Sequence, residues 1–168
     1  ISLTTIPSRV KSIQKTIEEI EKQTLKPDKI FLNIPYNFQR FINEKIDDNE
    51  LAKIKSNKLE ITRCEDYGPG TKLMGSLNKI CNYDCVILMD DDHIYDKNIC
   101  KIFIEAFKKK PINYSFYLNK IFDIKMAQCA DGFLINTEFL YNIKDFYERY
   151  VSKNKNMFLD DDLWFAIF

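Results

Sequence analysis

The stretch Cys85-Val86-Ile87-Leu88-Met89-Asp90-Asp91-Asp92 constrains the chain most, because an unbroken apolar run ends in three consecutive carboxylates. A run without polar alternation is how a strand covered on both faces of a parallel sheet reads. Asp90–Asp92 then stand at its C-terminal edge, where ligands bind in open α/β sheets. Adjacent carboxylates repel one another, and at the mouth of a buried strand they also lose hydration, so the cluster calls for compensation. With all-oxygen donors and no paired Cys or His nearby, the compensating ion is a hard one, Mg²⁺ or Mn²⁺, shared with a substrate phosphate. The plain alternative is an acidic turn that ends the strand, with Asp96 capping the next helix.

The flanking sequence repeats a strand-then-helix rhythm. Ile1–Thr5 reads as a strand, Ser8 as an N-cap, and Val10, Ile13, Ile17 and Ile20 as the apolar face of a helix. Lys29–Pro35 is a second strand. Residues 36–57 read as connection, broken by the acidic turn Asp47-Asp48-Asn49, and Leu59–Cys64 is a third strand. After the Asp triplet, Ile99, Ile102, Phe103 and Phe107 give a helix that ends in Lys108–Lys110 and Pro111. Tyr114–Leu118 and Ile121–Met126 read as strands joined by Asn119-Lys120, and Ala130–Phe133 as a turn into Leu134-Ile135. Thr137 is the expected N-cap of a helix through Tyr150, with Phe139, Ile143, Phe146 and Tyr150 on one face. These elements predict an α/β fold: a mostly parallel central sheet flanked by helices, with a small antiparallel section in the C-terminal half.

At 168 residues and 45 % hydrophobic, the chain is long enough for one domain with a substantial core. Its 25 basic and 25 acidic residues balance, so bulk electrostatics give no reason to expect nucleic acid or a membrane surface as partner. Cys64, Cys81, Cys85, Cys100 and Cys129 are odd in number and lack CxxC spacing, which argues against a disulfide framework and for a reducing, cytoplasmic setting. No apolar stretch is long enough for a membrane span. Opening on a strand and stopping inside a helical pattern, the sequence reads as part of a longer protein.

Two further stretches carry chemistry. In Glu65-Asp66-Tyr67-Gly68-Pro69-Gly70-Thr71-Lys72-Leu73, Gly-Pro-Gly imposes a tight, non-helical loop before helical spacing resumes. There Asp66 and Tyr67 suit a nucleobase, by hydrogen bonding and stacking, and Lys72 suits a phosphate at a helix N-terminus. Arg9, in the loop after the first strand, suits bidentate phosphate recognition. A second triplet, Asp160-Asp161-Asp162, precedes Leu163-Trp164-Phe165 and serves either as helix cap or as proton acceptor. His93, directly after the acidic triplet, reads as an ordinary turn histidine, with a metal or phosphate role as the alternative.

In this motif order the chain resembles the GT-A glycosyltransferases, most closely the broad family 2-type enzymes that use nucleotide sugars. The resemblance rests on the Thr4–Arg9 loop, Asp66, a DxD motif as Asp90-Asp91-Asp92, the Asp131-Gly132 turn and Asp160–Asp162 at the place of the family's base motif. It implies a single catalytic domain over 1–168, with a nucleotide-binding half over 1–93 and an acceptor half over 94–168. It also implies transfer of a sugar, typically a hexose, from a UDP-sugar to a hydroxyl of a glycan, protein or small molecule, with inversion. Thr5 and Asp66 would lie near the base, Arg9 or Lys72 near the pyrophosphate, and Asp91 near the ribose or donor sugar. Asp92 and Asp90 would hold Mn²⁺ or Mg²⁺, and Asp131 and Gly132 would border sugar and acceptor. Asp161 is the expected base; Asp-Asp-Asp replaces a Glu-Asp pair, so Asp160 and Asp162 stay open as alternatives. A sugar-nucleotide nucleotidyltransferase is the first rival, although Thr4–Arg9 lacks the glycines of its signature loop, and a non-catalytic binding domain of the same fold is the second. The skew to Lys, Ile and Asn points to an AT-rich genome, viral or bacterial.

Overall fold

The computed structural model describes residues 1–121 and 123–168. Its strands are β1 (Ser2–Thr4), β2 (Ile30–Pro35), β3 (Leu59–Cys64), β4 (Cys85–Leu88), β5 (Tyr114–Ser115), β6 (Leu118–Ile121), β7 (Ile124–Ala127) and β8 (Phe133–Asn136). Its α-helices are α1 (Ile13–Glu21), α2 (Asp48–Leu51), α3 (Thr71–Met74), α4 (Leu77–Ile80), α5 (Ile99–Lys109), α6 (Ile143–Phe146), α7 (Lys155–Leu159) and α8 (Asp161–Ile167).

Six strands form one sheet in the order β3-β2-β1-β4-β8-β5, and β6 pairs with β7 in a separate antiparallel ribbon. The neighbours among β1 to β4 are parallel, whereas β8 runs antiparallel to both β4 and β5. The fold is therefore α/β and mostly parallel, with its antiparallel part in the C-terminal half.

The unbroken apolar run of β4 has the cause expected of it. Ile87 and Met89 face a core with Val10, Ile13, Ile17, Ile99 and Phe103, while Val86 and Leu88 face a second core with Leu73, Leu77, Phe158 and Trp164. Each face of the sheet thus carries its own layer of helices, and a two-sided strand has no polar side to show. Among the described residues no helix is long and apolar enough to cross a membrane.

Several local expectations are corrected. Ser8 caps nothing: a 3₁₀ turn over Val10–Ser12 precedes α1, and the Ser12 hydroxyl donates to the Arg9 carbonyl instead. The acidic turn at Asp47 starts α2, the Asp47 side chain accepting from the Asn49 amide. Asp96 accepts from the Asn98 amide, one turn ahead of α5, and Ile102 is exposed. Asn119 and Lys120 lie within β6, opposite Met126 and Lys125, so they are no turn; Phe122, inside the strand expected over Ile121–Met126, lies outside the described residues. The cap at 137 is Asn136, which accepts from the Glu138 amide, while the Thr137 hydroxyl donates to the Tyr83 and Asp84 carbonyls. No single helix runs to Tyr150. A 3₁₀ turn, α6 and a π-turn over Tyr147–Val151 follow one another, and the buried face is Leu140, Ile143, Tyr147 and Val151.

Candidate functional site

Parallel pairing decides where the loops go. The segments after β1, β3 and β4 leave the sheet at one edge, and because β8 is antiparallel to β4, the residues just before it, Asp131 and Gly132, lie there too. Gly132 has φ +90, where other residues are strained, and a Cβ on it would be tight, 3.0 Å from a Phe103 ring carbon.

The three acids after β4 do different things. Asp91 turns inward: its side chain is 4 % exposed, it accepts from the Thr5 hydroxyl through Oδ2, and its Oδ1 lies 3.0 Å from Arg9 Nη2. Its carbonyl accepts from Thr16 at 2.8 Å. Burial pushes the Asp91 carboxyl up, against the Thr5 hydroxyl and the Arg9 charge, which hold it down. Asp92, half exposed, pairs with Arg9 through Oδ2. Asp90 pairs through Oδ1 with the ammonium of Lys72 and is held at its backbone by Tyr95, whose hydroxyl accepts from the Asp90 amide at 2.7 Å.

Lys72 is not at the surface. Its side chain is 3 % exposed, and Nζ lies 3.0 Å from Asp161 Oδ2 as well as against Asp90. The Asp161 contact is an ion pair whose geometry falls short of a hydrogen bond. Burial pulls the lysine pKa down, but the charges of Asp161 and Asp90 outweigh it and hold the ammonium well above its usual range. Gly68–Gly70, expected as a non-helical loop, is a 3₁₀ turn that leads directly into α3, whose first turn carries Lys72.

The second triplet is also divided. Asp160 caps α8, accepting from the Leu163 amide at 3.0 Å. Asp161 is buried against Lys72, and Asp162 Oδ1 accepts from the Cys129 amide at 2.8 Å. Burial, with the Asp161 charge beside it, pushes the Asp162 carboxyl up.

The compensation that Asp90–Asp92 call for is therefore supplied in part by the chain itself: Arg9 and Lys72 both pair with them. Compensation is still incomplete, since five carboxylates (Asp90, Asp91, Asp92, Asp161, Asp162) face two cations, a formal excess of three negative charges. Among the described residues Asp90 Oδ2 and Asp92 Oδ1 have no protein partner, and both carboxylates reach solvent. That donor set fits a hydrated divalent ion held by one or two carboxylates. Asp91 does not fit, because both its oxygens are taken.

Asp66 is committed to its own loop. Its carboxylate accepts from the amides of Gln39 at 2.6 Å and Gly68 at 2.9 Å, and its carbonyl accepts from Gln39 Nε2. Tyr67 packs edge-on against Tyr147, ring centroids 5.0 Å apart, and stays partly open. His93 lies 3.4 Å from Asp131 Oδ1 and tilts over Tyr95. These two and Phe116 and Tyr117 border a cavity of about 400 Å³ beside the acids. A larger cavity of about 690 Å³ lies at the opposite edge, against Ile1, Lys29 and Cys85, and holds none of these residues.

Sequence reasoning missed Cys129, buried and within 4.8 Å of the Asp161 and Asp162 oxygens, and the Tyr95 hydroxyl. Nothing in the spacing marked Cys129. Tyr95 had a signal: a tyrosine three residues past an acidic triplet is within reach of its backbone. In comparisons with known proteins, no family model matches the chain and no curated sequence matches it.

Proposed function

We propose that the chain is a metal-dependent glycosyltransferase domain of the GT-A type, which moves a sugar from a UDP-sugar to an acceptor hydroxyl with inversion. One observation carries the reading: two acidic triplets about 70 residues apart in sequence meet at the C-terminal edge of a mostly parallel sheet, around Arg9 and Lys72. The strand arrangement supports it too, since that edge is where α/β sheets take nucleotides.

Asp90 and Asp92 would hold Mn²⁺ or Mg²⁺, which when bound supplies positive charge to a departing diphosphate. Arg9, pairing with Asp91 and Asp92 and partly open to solvent, sits where its guanidinium can take a phosphate oxygen as charge develops. Asp66 fixes the loop that carries Tyr67, and the open face of Tyr67 is available to stack on a base. Asp161 takes the proton from the acceptor hydroxyl as the new glycosidic oxygen bond forms on the face opposite the leaving group. Its Oδ2 lies 3.0 Å from the Lys72 ammonium.

Incubation with a panel of UDP-sugars and Mn²⁺, read as UDP release, tests the reading. Release that depends on metal and is lost in Asp92→Ala is expected. Pyrophosphate release from a sugar phosphate and UTP would favour the nucleotidyltransferase rival, and UDP binding without turnover for any donor would favour a binding domain.

A further inference from the structure

We infer that Lys72 is a positioning residue: its buried ammonium ties Asp90 to Asp161, so that the two acidic clusters stand as one assembled unit before any ligand arrives. The inference rests on the proposed roles of Asp90 and Asp161, but the tie itself is a property of the fold.

Lysine is almost never fully buried unless paired, and here the side chain is 3 % exposed with a carboxylate from each cluster on its nitrogen. Its backbone is equally fixed. The Lys72 carbonyl accepts from the Ser2 hydroxyl and from Asn33 Nδ2 at 3.1 Å, and Asn33 in turn accepts from the Ser76 hydroxyl. Strands β1 and β2 therefore clamp the residue from one side. From the other side α7 and α8 close on the same turn: a Cβ at Gly70 would stand 2.4 Å from Trp164 Cζ2 of α8, and one at Gly68 would stand 2.3 Å from the Phe158 carbonyl oxygen of α7. A phosphate ligand would need an ammonium free to turn outward, and none of these contacts leaves it free.

The groups around the nitrogen also explain why a cation must be there. Cys129, Asp161 and Asp162 offer ligand atoms within 4.8 Å of one another, and Asp90 faces them across Lys72. The ammonium stands where that donor set would otherwise draw a metal ion.

The test is a double-mutant cycle on unfolding by urea, with Lys72→Met, Asp161→Asn and the pair. Lys72→Met strands a buried carboxylate and Asp161→Asn leaves the buried ammonium one partner in place of two, so each lowers the midpoint; the double variant is expected to be at least as stable as the weaker single, even where Lys72→Met alone does not fold. A double variant less stable than both singles, or a Lys72→Met protein as stable as the parent, overturns the tie. In a second arm, Zn²⁺ or Mn²⁺ should raise the melting temperature of Lys72→Met by more than that of the parent, and equal shifts count against the inference. Where the parent transfers sugar, Lys72→Met should lower kcat while UDP affinity measured in EDTA changes by less than about 3-fold, and a loss of ~10-fold or more in that metal-free affinity makes Lys72 a phosphate ligand and overturns it. A parent that transfers no sugar sinks the proposed function and leaves the unfolding cycle to decide the tie alone.

Discussion

Three consecutive aspartates at 160–162 have three different partners, because successive side chains on a starting helix point about 100° apart. Asp160 serves the helix, Asp161 serves Lys72, and Asp162 serves the Cys129 amide. Substitution should separate them. Asp160→Ala removes a cap and is expected to cost about 0.5–2 kcal/mol while sugar transfer stays near the parental rate. Asp161→Asn removes the proton acceptor, so transfer should fall by ~10²–10⁴-fold. It also leaves a buried ammonium with one partner in place of two, so a stability loss approaching the ~3–5 kcal/mol of a broken buried ion pair should accompany it. Urea unfolding and UDP release, measured on both variants, check the division. If Asp160→Ala abolishes transfer and Asp161→Asn does not, the base lies one residue earlier.

At the level of elements, the turn Gly68–Gly70 is the joint on which the site depends. It runs in 3₁₀ form into α3 because Gly68 takes φ +60, where other residues are strained, and because Gly70 lets the Trp164 ring lie on the backbone. Gly70→Ala should therefore displace Trp164 and α8 together, costing about 1–3 kcal/mol by overpacking and loosening Asp161 from Lys72. A lower urea midpoint with a matching fall in transfer is the expected result, and near-UV circular dichroism of the single tryptophan reports the shift of the ring. Elements of this kind were legible where one period governed them: Val10, Ile13, Ile17 and Ile20 are all buried, and β3 keeps its expected bounds. They were not legible where the period breaks. The 3₁₀ turn over Thr137–Leu140 leaves Phe139 exposed, and the π-turn over Tyr147–Val151 delays the backbone by one residue, which brings Tyr147 and Val151 inward and leaves Tyr150 exposed.

For the whole molecule, parallel topology gathers distant loops at one edge, and that much follows from strand patterns. The partners chosen there do not follow, since an Arg9 to Asp91 pair or a Lys72 to Asp161 pair depends on three-dimensional reach that no local spacing encodes. The same packing buries groups whose protonation limits the stable pH range. Burial pushes the thiols of Cys64 up to about 12 and of Cys85 and Cys100 up to about 11, from an ordinary value of 9.0, and pushes Cys129 well above it. Unfolded, these thiols ionise near 9.0; folded, they do not, so above that pH the unfolded chain binds fewer protons than the native one. Stability is then fully present below about 9 and is lost as pH rises through about 11. Lys72 acts in the same direction, since its ammonium is held well above 10.5 in the fold and its ion pairs fail only beyond that. The melting temperature should accordingly fall steadily from pH 9 to pH 11. Iodoacetamide at pH 8 should label the exposed Cys81 first and the other four only as the protein unfolds, because a thiol at about 11 is thiolate in about one molecule per thousand there. A melting temperature that rises above pH 9, or prompt labelling of all five cysteines in the native state, would mean that these thiols are not buried as described.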